Sequence, residues 1–224
     1  GITREEQDEF ALASQKKAAL AIENNLFSEE IAPIVIKTRR EEITFDVDEY
    51  VRANSSLESL AKLRPSFKKD GTVTAGNASG INDGAACVIL MSEKRAKELD
   101  LDVLCYIEGY ASTGLDNKVM GLGPVPATQK VLEKLNLNIE DIDLFEMNEA
   151  FAAQSIAVTR LLNLDATKVN TRGGAIALGH PIGASGCRVL VTLVHALIKD
   201  NKEKGLCSLC IGGGQGISMV VSRK

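Results

Sequence analysis

Three short stretches hold side chains able to do chemistry. "LCIGGGQGIS" runs an apolar segment onto Cys210 and follows it with three glycines, including Gly212. A glycine run lets a ligand touch bare backbone, and the thiol beside it could be a packed hydrophobe, a metal ligand, half of a redox pair or an acid–base group. "NTRGGAIALGHPIGASG" sets His180 among five glycines and almost no charge. A histidine there is either satisfied by loop backbone or free to move protons near neutral pH. "FEMNEAFAAQ" places Asn148 where a strand gives way to a helix. That position suits a helix cap and equally a ligand site.

Two readings of the cysteine motif fail on geometry. Cys207 and Cys210 form a C-x-x-C, but residues three apart on a strand point to opposite faces and converge poorly on a metal. No second Cys/His pair with ligand spacing accompanies them, so no metal is expected. A phosphate-binding glycine fingerprint needs a helix after the glycines, whereas "ISMVVS" reads as a strand. His195 falls inside an apolar helix and reads as structural.

The elements that must carry these residues follow from periodicity and punctuation. Thr3 and Glu6 form a capping box ahead of "EEQDEFALASQKKAALAIENNLF", an amphipathic helix. A strand-like "IAPIVIKT" and the charged "RREEITFDVDEY" come next. Residues 52–80 are rich in Ser, Pro, Gly and Asn without periodicity, a loop length that is usually functional or disordered. "GAACVILMS" reads as an apolar strand and "EKRAKELD" as a short helix. From Val103 onward the pattern is strand "VLCYIEGYAS", helix "PATQKVLEKLN", then a strand running into a helix at about Asn148. Helix "ASGCRVLVTLVHALIKD" and two strands joined by the glycine turn complete it. This order predicts an α/β fold whose last two strands form a hairpin. The helix from Ala184 to Lys199 is apolar around most of its circumference, which predicts burial between layers.

Composition narrows the class. The 224 residues are 45% hydrophobic and 25% charged, ordinary for a globular chain of one or two domains. A net charge of -4, with no free-standing basic block, argues against nucleic acid. No apolar run has membrane-span length and no signal-peptide pattern opens the chain. Five cysteines at irregular spacing fit a reducing compartment better than a disulfide framework. The start at Gly1, running straight into a capped helix, reads as a processed or cut chain.

"NEAFA", "GGAIALGHPIGASG" and "CIGGGQG" stand in the order and at the separations of the thiolase family. "TAGNASGINDGAA" and "GITREEQDEFALASQ" match it as well. The chain resembles that family over essentially its whole length, and most of all its short-chain biosynthetic members, which join two acetyl-CoA into acetoacetyl-CoA and free CoA. The resemblance implies a layered α/β/α/β/α sandwich. Residues 1–80 would be the C-terminal part of the family's loop domain. Residues 81–102 would end its N-terminal half, and 103–224 would be its C-terminal half. It implies no permanent cofactor, coenzyme A and acetyl-CoA as substrates, and a homodimer or homotetramer; with no targeting signal seen, the cytoplasm is the expected compartment.

By the same resemblance Cys210 is the acid–base thiol that takes a proton from the incoming acetyl-CoA. His180 activates the acyl-carrying nucleophile and donates to an oxyanion. Asn148 holds a water completing that oxyanion hole, and the Gly212 N–H serves a second one. Coenzyme A contacts fall to Arg52 and Ser59 near the nucleotide and to Ser79 on the pantetheine. Phe67, Ala75, Ala150 and Phe151 would line the channel, and Met120 would shorten the acyl pocket. The family's acyl-carrying cysteine lies in a segment with no counterpart here. None of Cys87, Cys105, Cys187 and Cys207 is placed to replace it, so the chain alone is expected to be inactive and to need that missing N-terminal half. A degradative 3-ketoacyl-CoA thiolase and a non-catalytic acyl-CoA-binding or scaffold protein are the alternatives. A ketoacyl synthase fits less well, since those enzymes commonly use a second histidine where this chain has Cys210.

Overall fold

The computed structural model describes residues 1–223. The first helix, α1 (Arg4–Glu23), starts at the expected capping box. Thr3 Oγ1 accepts from the Glu6 N–H at 3.2 Å, and Glu6 Oε2 accepts from the Thr3 N–H at 2.7 Å. Strand β1 (Ile34–Lys37) pairs antiparallel with β2 (Glu42–Phe45), and all eight residues are exposed. The sequence showed β2 only as a charged stretch, because its turn, "TRREE", lacks glycine and proline.

The 52–80 segment contains one short helix, α2 (Leu57–Ala61), capped by Ser56. The expected strand "GAACVILMS" forms no ladder among the described residues, and Ile89 is 84% exposed. An apolar run reports a demand for burial, but a strand exists only where a neighbour supplies hydrogen bonds. Among the described residues no strand pairs with this run. A short helix, α3 (Glu93–Glu98), follows.

From residue 106 the observed order follows the sequence pattern. Strand β3 (Tyr106–Gly114) leads through a 3-10 turn (Asn117–Leu122) into α4 (Pro124–Leu135). Proline sits at the first helical position of α4, where its missing N–H costs nothing. The helix ends on Asn136 in the left-handed region (φ 53°). Then come β4 (Leu144–Met147), α5 (Ala152–Leu161) and a single turn, α6 (Ala175–Leu178). Helix α7 (Ser185–Lys199) precedes the hairpin of β5 (Lys204–Gly212) and β6 (Gln215–Ser222).

The four-stranded sheet has the order β3-β6-β5-β4, with β4 and β5 parallel and the other two pairs antiparallel. Alternation along the strands gives it two apolar faces. Phe145, Met147, Leu206 and Val220 meet Val131 of α4 and Val158 of α5. Leu144, Cys207 and Val221 meet Val189, Leu193 and Leu197 of α7. The α7 residues recur every four positions, the spacing of one helical face. Gly205 lets Leu193 lie flat on β5, since an added Cβ would meet its side chain at 2.7 Å. The opposite flank of α7 is only partly covered, with Thr192 reaching Glu30 at 3.5 Å. Helix α1 joins this unit by packing Ala11 with Leu60, Ala152 and Ile176.

Candidate active site

The C-terminal ends of the parallel strands β4 and β5 carry two of the expected residues, Asn148 and Cys210. Asn148 directly follows β4, and its N–H donates to the Ser208 carbonyl at 2.9 Å, extending the ladder by one bond. Helix α5 begins only at Ala152, with Phe151 at its N-cap. Asn148 therefore does not start or cap the helix; residues 148–151 form a separate bend. On β5, Cys210 faces Gly216 across the hairpin, and the register shifts between Cys210 and Gly212.

Asn170 holds that bend. Its Oδ1 accepts from the Met147 N–H at 2.8 Å, and its Nδ2 donates to the Met147 carbonyl and to Glu149 Oε1, each at 2.8 Å. Glu149 is 2% exposed and also accepts from the Ser14 hydroxyl at 2.7 Å and the Ile176 N–H at 3.2 Å. A buried carboxylate requires such a full set of donors. Gly174 makes the room: a Cβ there would lie 2.2–2.6 Å from the carboxyl atoms. The bend that carries Asn148 is thus clamped from behind by residues of α1 and of the segment entering α6.

His180 is fixed from three sides. Its backbone N–H donates to Asn82 Oδ1 at 3.1 Å, and Gly179 (φ +96°) packs so closely on Asn82 that an added Cβ would meet it at 2.6 Å. Its Nδ1 lies 2.5 Å from Ser185 Oγ, at the start of α7. Its Nε2 lies 3.4 Å from Asn148 Nδ2. The Asn148 amide nitrogen can only donate, so Nε2 is the acceptor at that contact and Nδ1–H faces Ser185 Oγ, whose hydroxyl lies 3.0 Å from the Pro181 carbonyl. Burial, with the Arg188 cation second, pushes His180 below the usual histidine range. The imidazole is neutral at pH 7, with a basic nitrogen facing Asn148. Asn148 Oδ1 is buried without a partner among the described residues.

Burial pushes the Cys210 thiol above its ordinary value, so it is protonated at rest. Gly212, Gly213 and Gly214 have φ of +97°, +58° and +85°, backbone that other residues adopt only under strain. Gly214 also tucks under the chain: its carbonyl accepts from the Leu115 N–H at 2.7 Å, and a Cβ would stand 2.3 Å from the Leu115 carbonyl oxygen. This pins the hairpin tip to the segment leading to Met120. The Met120 turn also packs against α5, through Gly121 and Gln154. Cys207 packs in the α7-facing cluster and its thiol is pushed up to about 12 by burial. Among the described residues no group of His, Cys, Asp and Glu could hold a metal, and no helix is long and apolar enough to cross a membrane.

The remaining expected contacts assemble beside this centre. Ser79 donates from both N–H and hydroxyl to the Ala150 carbonyl, each at 3.1 Å. Ala78 bridges to Phe151, and the Ala152 N–H donates to the Asn77 carbonyl. The exposed Phe67 meets Phe151 edge-on at 6.1 Å. Ala75 is exposed on the same 74–79 loop. Arg52 lies over the Tyr50 ring, which itself packs on Gly80. Ser59 stands apart: its hydroxyl donates to the Ser56 carbonyl within the cap of α2. Ser14, Asn82, Glu149, Asn170 and Ser185 complete the site, and the sequence reading had assigned none of them its role. Glu149, adjoining Asn148, carried the one legible signal, the single charge between Glu146 and Arg160.

The fold and this arrangement define the class, for the chain belongs to the thiolase family. Residues 101–223 match the model of the thiolase C-terminal domain, and residues 1–94 that of the N-terminal domain. Among individual proteins, the chain is 59% identical to acetyl-CoA acetyltransferase of Pseudomonas aeruginosa, over all of this chain and 57% of that protein. It is 58% identical to acetyl-CoA acetyltransferase of Escherichia coli, with the same coverage. The Bacillus anthracis acetyl-CoA acetyltransferase structure superposes with a TM-score of 0.97 at 53% identity, covering 99% of this chain and 56% of that one. The chain therefore spans a little over half the length of the relatives it matches.

Proposed function

We propose that this chain carries the acid–base half of an acetyl-CoA C-acetyltransferase centre. One observation carries the reading: a neutral His180 presents a lone pair at Nε2 beside Asn148, which follows β4, and Cys210 lies near the same end of the neighbouring strand β5. In the first half-reaction a cysteine thiol gives its proton to Nε2 and attacks acetyl-CoA. The acetyl group moves to that sulfur, CoA leaves with a proton taken from the Cys210 thiol, and His180 keeps the first proton until the carbanion expels the nucleophilic cysteine. In the second, Cys210 as thiolate takes a proton from the methyl group of another acetyl-CoA. The resulting carbanion displaces the cysteine and forms acetoacetyl-CoA. Asn148, through a water on its Oδ1, and the Gly212 N–H stabilise the oxyanions. Cys210 is protonated at rest, so it becomes a base only as an ionised thiol, formed when a proton leaves with the first product.

The acyl-carrying cysteine is proposed to come from outside these 224 residues. Cys207 is too deeply protonated, Cys87 lies on the exposed strand-less segment, Cys105 precedes β3, and Cys187 is on α7. The apolar residues 88–91 would be covered by the same missing part, and this chain would supply the end of the loop domain (1–80), the end of the N-terminal half (81–102) and the C-terminal half (103–224). Phe67, Ala75, Ser79, Ala150 and Phe151 form the proposed pantetheine wall, and Arg52 lies towards the nucleotide. Thiolysis of 3-ketoacyl-CoA is the reverse path through the same groups; a CoA complex of human mitochondrial 3-ketoacyl-CoA thiolase superposes with a TM-score of 0.92. The test is CoA release from acetyl-CoA by the protein as isolated. His180→Gln and Cys210→Ser should each lower it by about 100-fold or more; unchanged rates would sink the assignment.

A further inference from the structure

We infer that the cavity between α1 and α5 is a second small-molecule site, taking a neutral, ring-sized molecule that carries one hydrogen-bond acceptor. It encloses about 230 Å³, more than the roughly 150 Å³ in which an apolar cavity holds benzene. Phe10 of α1 and Ile156 of α5 form apolar walls. Ser14, Glu149 and Asn170 form the buried floor, so the cavity meets the clamp of the Asn148 bend from behind. Ala13 is exposed at the mouth. His180, Cys210 and the proposed pantetheine wall contribute nothing to the lining. The cavity also lies on the α5 side of the sheet, opposite the partly covered α7.

The polar groups of the lining select the ligand. Lys17 has three N–H donors. One goes to the Val169 carbonyl at 2.9 Å, and the others have no acceptor among the described residues. Burial holds this lysine below the usual lysine range, and a desolvated ammonium gains from each acceptor it meets. A ligand carbonyl supplies one. A carboxylate fits poorly, because Glu149 lies at the floor and, with Glu146, already faces the Lys17 cation. The other cation of the lining, Arg160, is paired with Glu6. A cationic ligand is opposed by Lys17 and Arg160 and finds the Glu149 oxygens already accepting from Ser14, Asn170 and the Ile176 N–H.

The experiment titrates acetophenone into the protein as isolated, with isoleucine methyls labelled for NMR and the Ile156 signal identified by its loss in Ile156→Val. The Ile156 methyl should shift saturably, with a dissociation constant on the order of millimolar for a ligand of this size. Benzoate and benzylamine, of similar shape but charged, should bind at least about 10-fold more weakly. Lys17→Met, which keeps the stem and removes the donor, should weaken acetophenone by about 10-fold. Ala13→Phe, at the mouth, should abolish the shift. No saturable shift up to the solubility limit overturns the site, and so does a shift that survives Ala13→Phe. Charged probes binding as tightly as acetophenone, or Lys17→Met binding it unchanged, overturn the assigned chemistry. Ala13 is exposed on α1, so Ala13→Phe keeps the test open if Lys17→Met does not fold.

Discussion

Replacing Gly174 by alanine puts a methyl carbon 2.2 Å from the carboxyl carbon of Glu149 and 2.4 and 2.6 Å from its oxygens. No rotamer of alanine avoids this, so the carboxylate must move. It is 2% exposed and accepts from Ser14, Asn170 and the Ile176 N–H. Overpacking of this kind costs about 1–3 kcal/mol, and leaving a buried polar group unsatisfied about 1–3 kcal/mol more. We expect Gly174→Ala to lose about 2–6 kcal/mol in urea unfolding. Activity should fall further than stability explains, because Asn170 and Glu149 shape the bend that carries Asn148. Gly183→Ala is the matched control. Nothing lies within 4 Å of its added Cβ, and its φ is not in the positive region, so its urea midpoint should stay within error of wild type. If Gly174→Ala matched that control in both stability and CoA release, the clamp behind Asn148 would be wrong.

Other consequences can be measured directly. Leu193→Ala, which empties the centre of the α7–sheet face, should cost about 2–5 kcal/mol in chemical unfolding. His180 is held below its ordinary value, so the unfolded chain binds the proton first as pH falls from 6.5; its share of stability is full above 6.5 and is lost below it. Activity that needs neutral His180 should likewise show an acid limb below the usual histidine range in a pH–rate profile. Glu146 runs the other way: burial pushes it up to about 8 from 4.5, so folding retains its proton and stability declines between those values. Glu146→Gln should flatten that decline in urea titrations across the same window. Iodoacetamide at neutral pH should label the exposed Cys87 in the folded chain and leave Cys207 unmodified, as peptide mapping would show.

Local chemistry made parts of this molecule legible before any coordinates. The Thr3–Glu6 box, the apolar α7 and the glycine-tipped hairpin are each specified by neighbours in sequence, and each formed where expected. The strand reading of "GAACVILMS" failed because pairing depends on a partner that sequence-local composition does not report. Asn148 was singled out, but its bend was mistaken for a helix start. What fixes the bend is Asn170, 22 residues away, together with Ser14, 134 residues away. The pairing of His180 with Asn148 likewise crosses two elements. Ser185 meets His180 Nδ1 because the turn at Pro181, whose carbonyl accepts from the Ala184 and Ser185 N–H groups, brings the start of α7 back against the ring.

Acetyl trapping in Cys210→Ser tests the central claim most directly. The protein as isolated is mixed with acetyl-CoA in excess, quenched, and its intact mass measured. Division of labour between His180 and Cys210 predicts that Cys210→Ser gains one covalent acetyl group, releases one equivalent of CoA and then stops. His180→Gln should gain none at a comparable rate. Sustained acetoacetyl-CoA formation by Cys210→Ser would contradict the account, and so would the absence of any acetyl adduct in a folded Cys210→Ser protein.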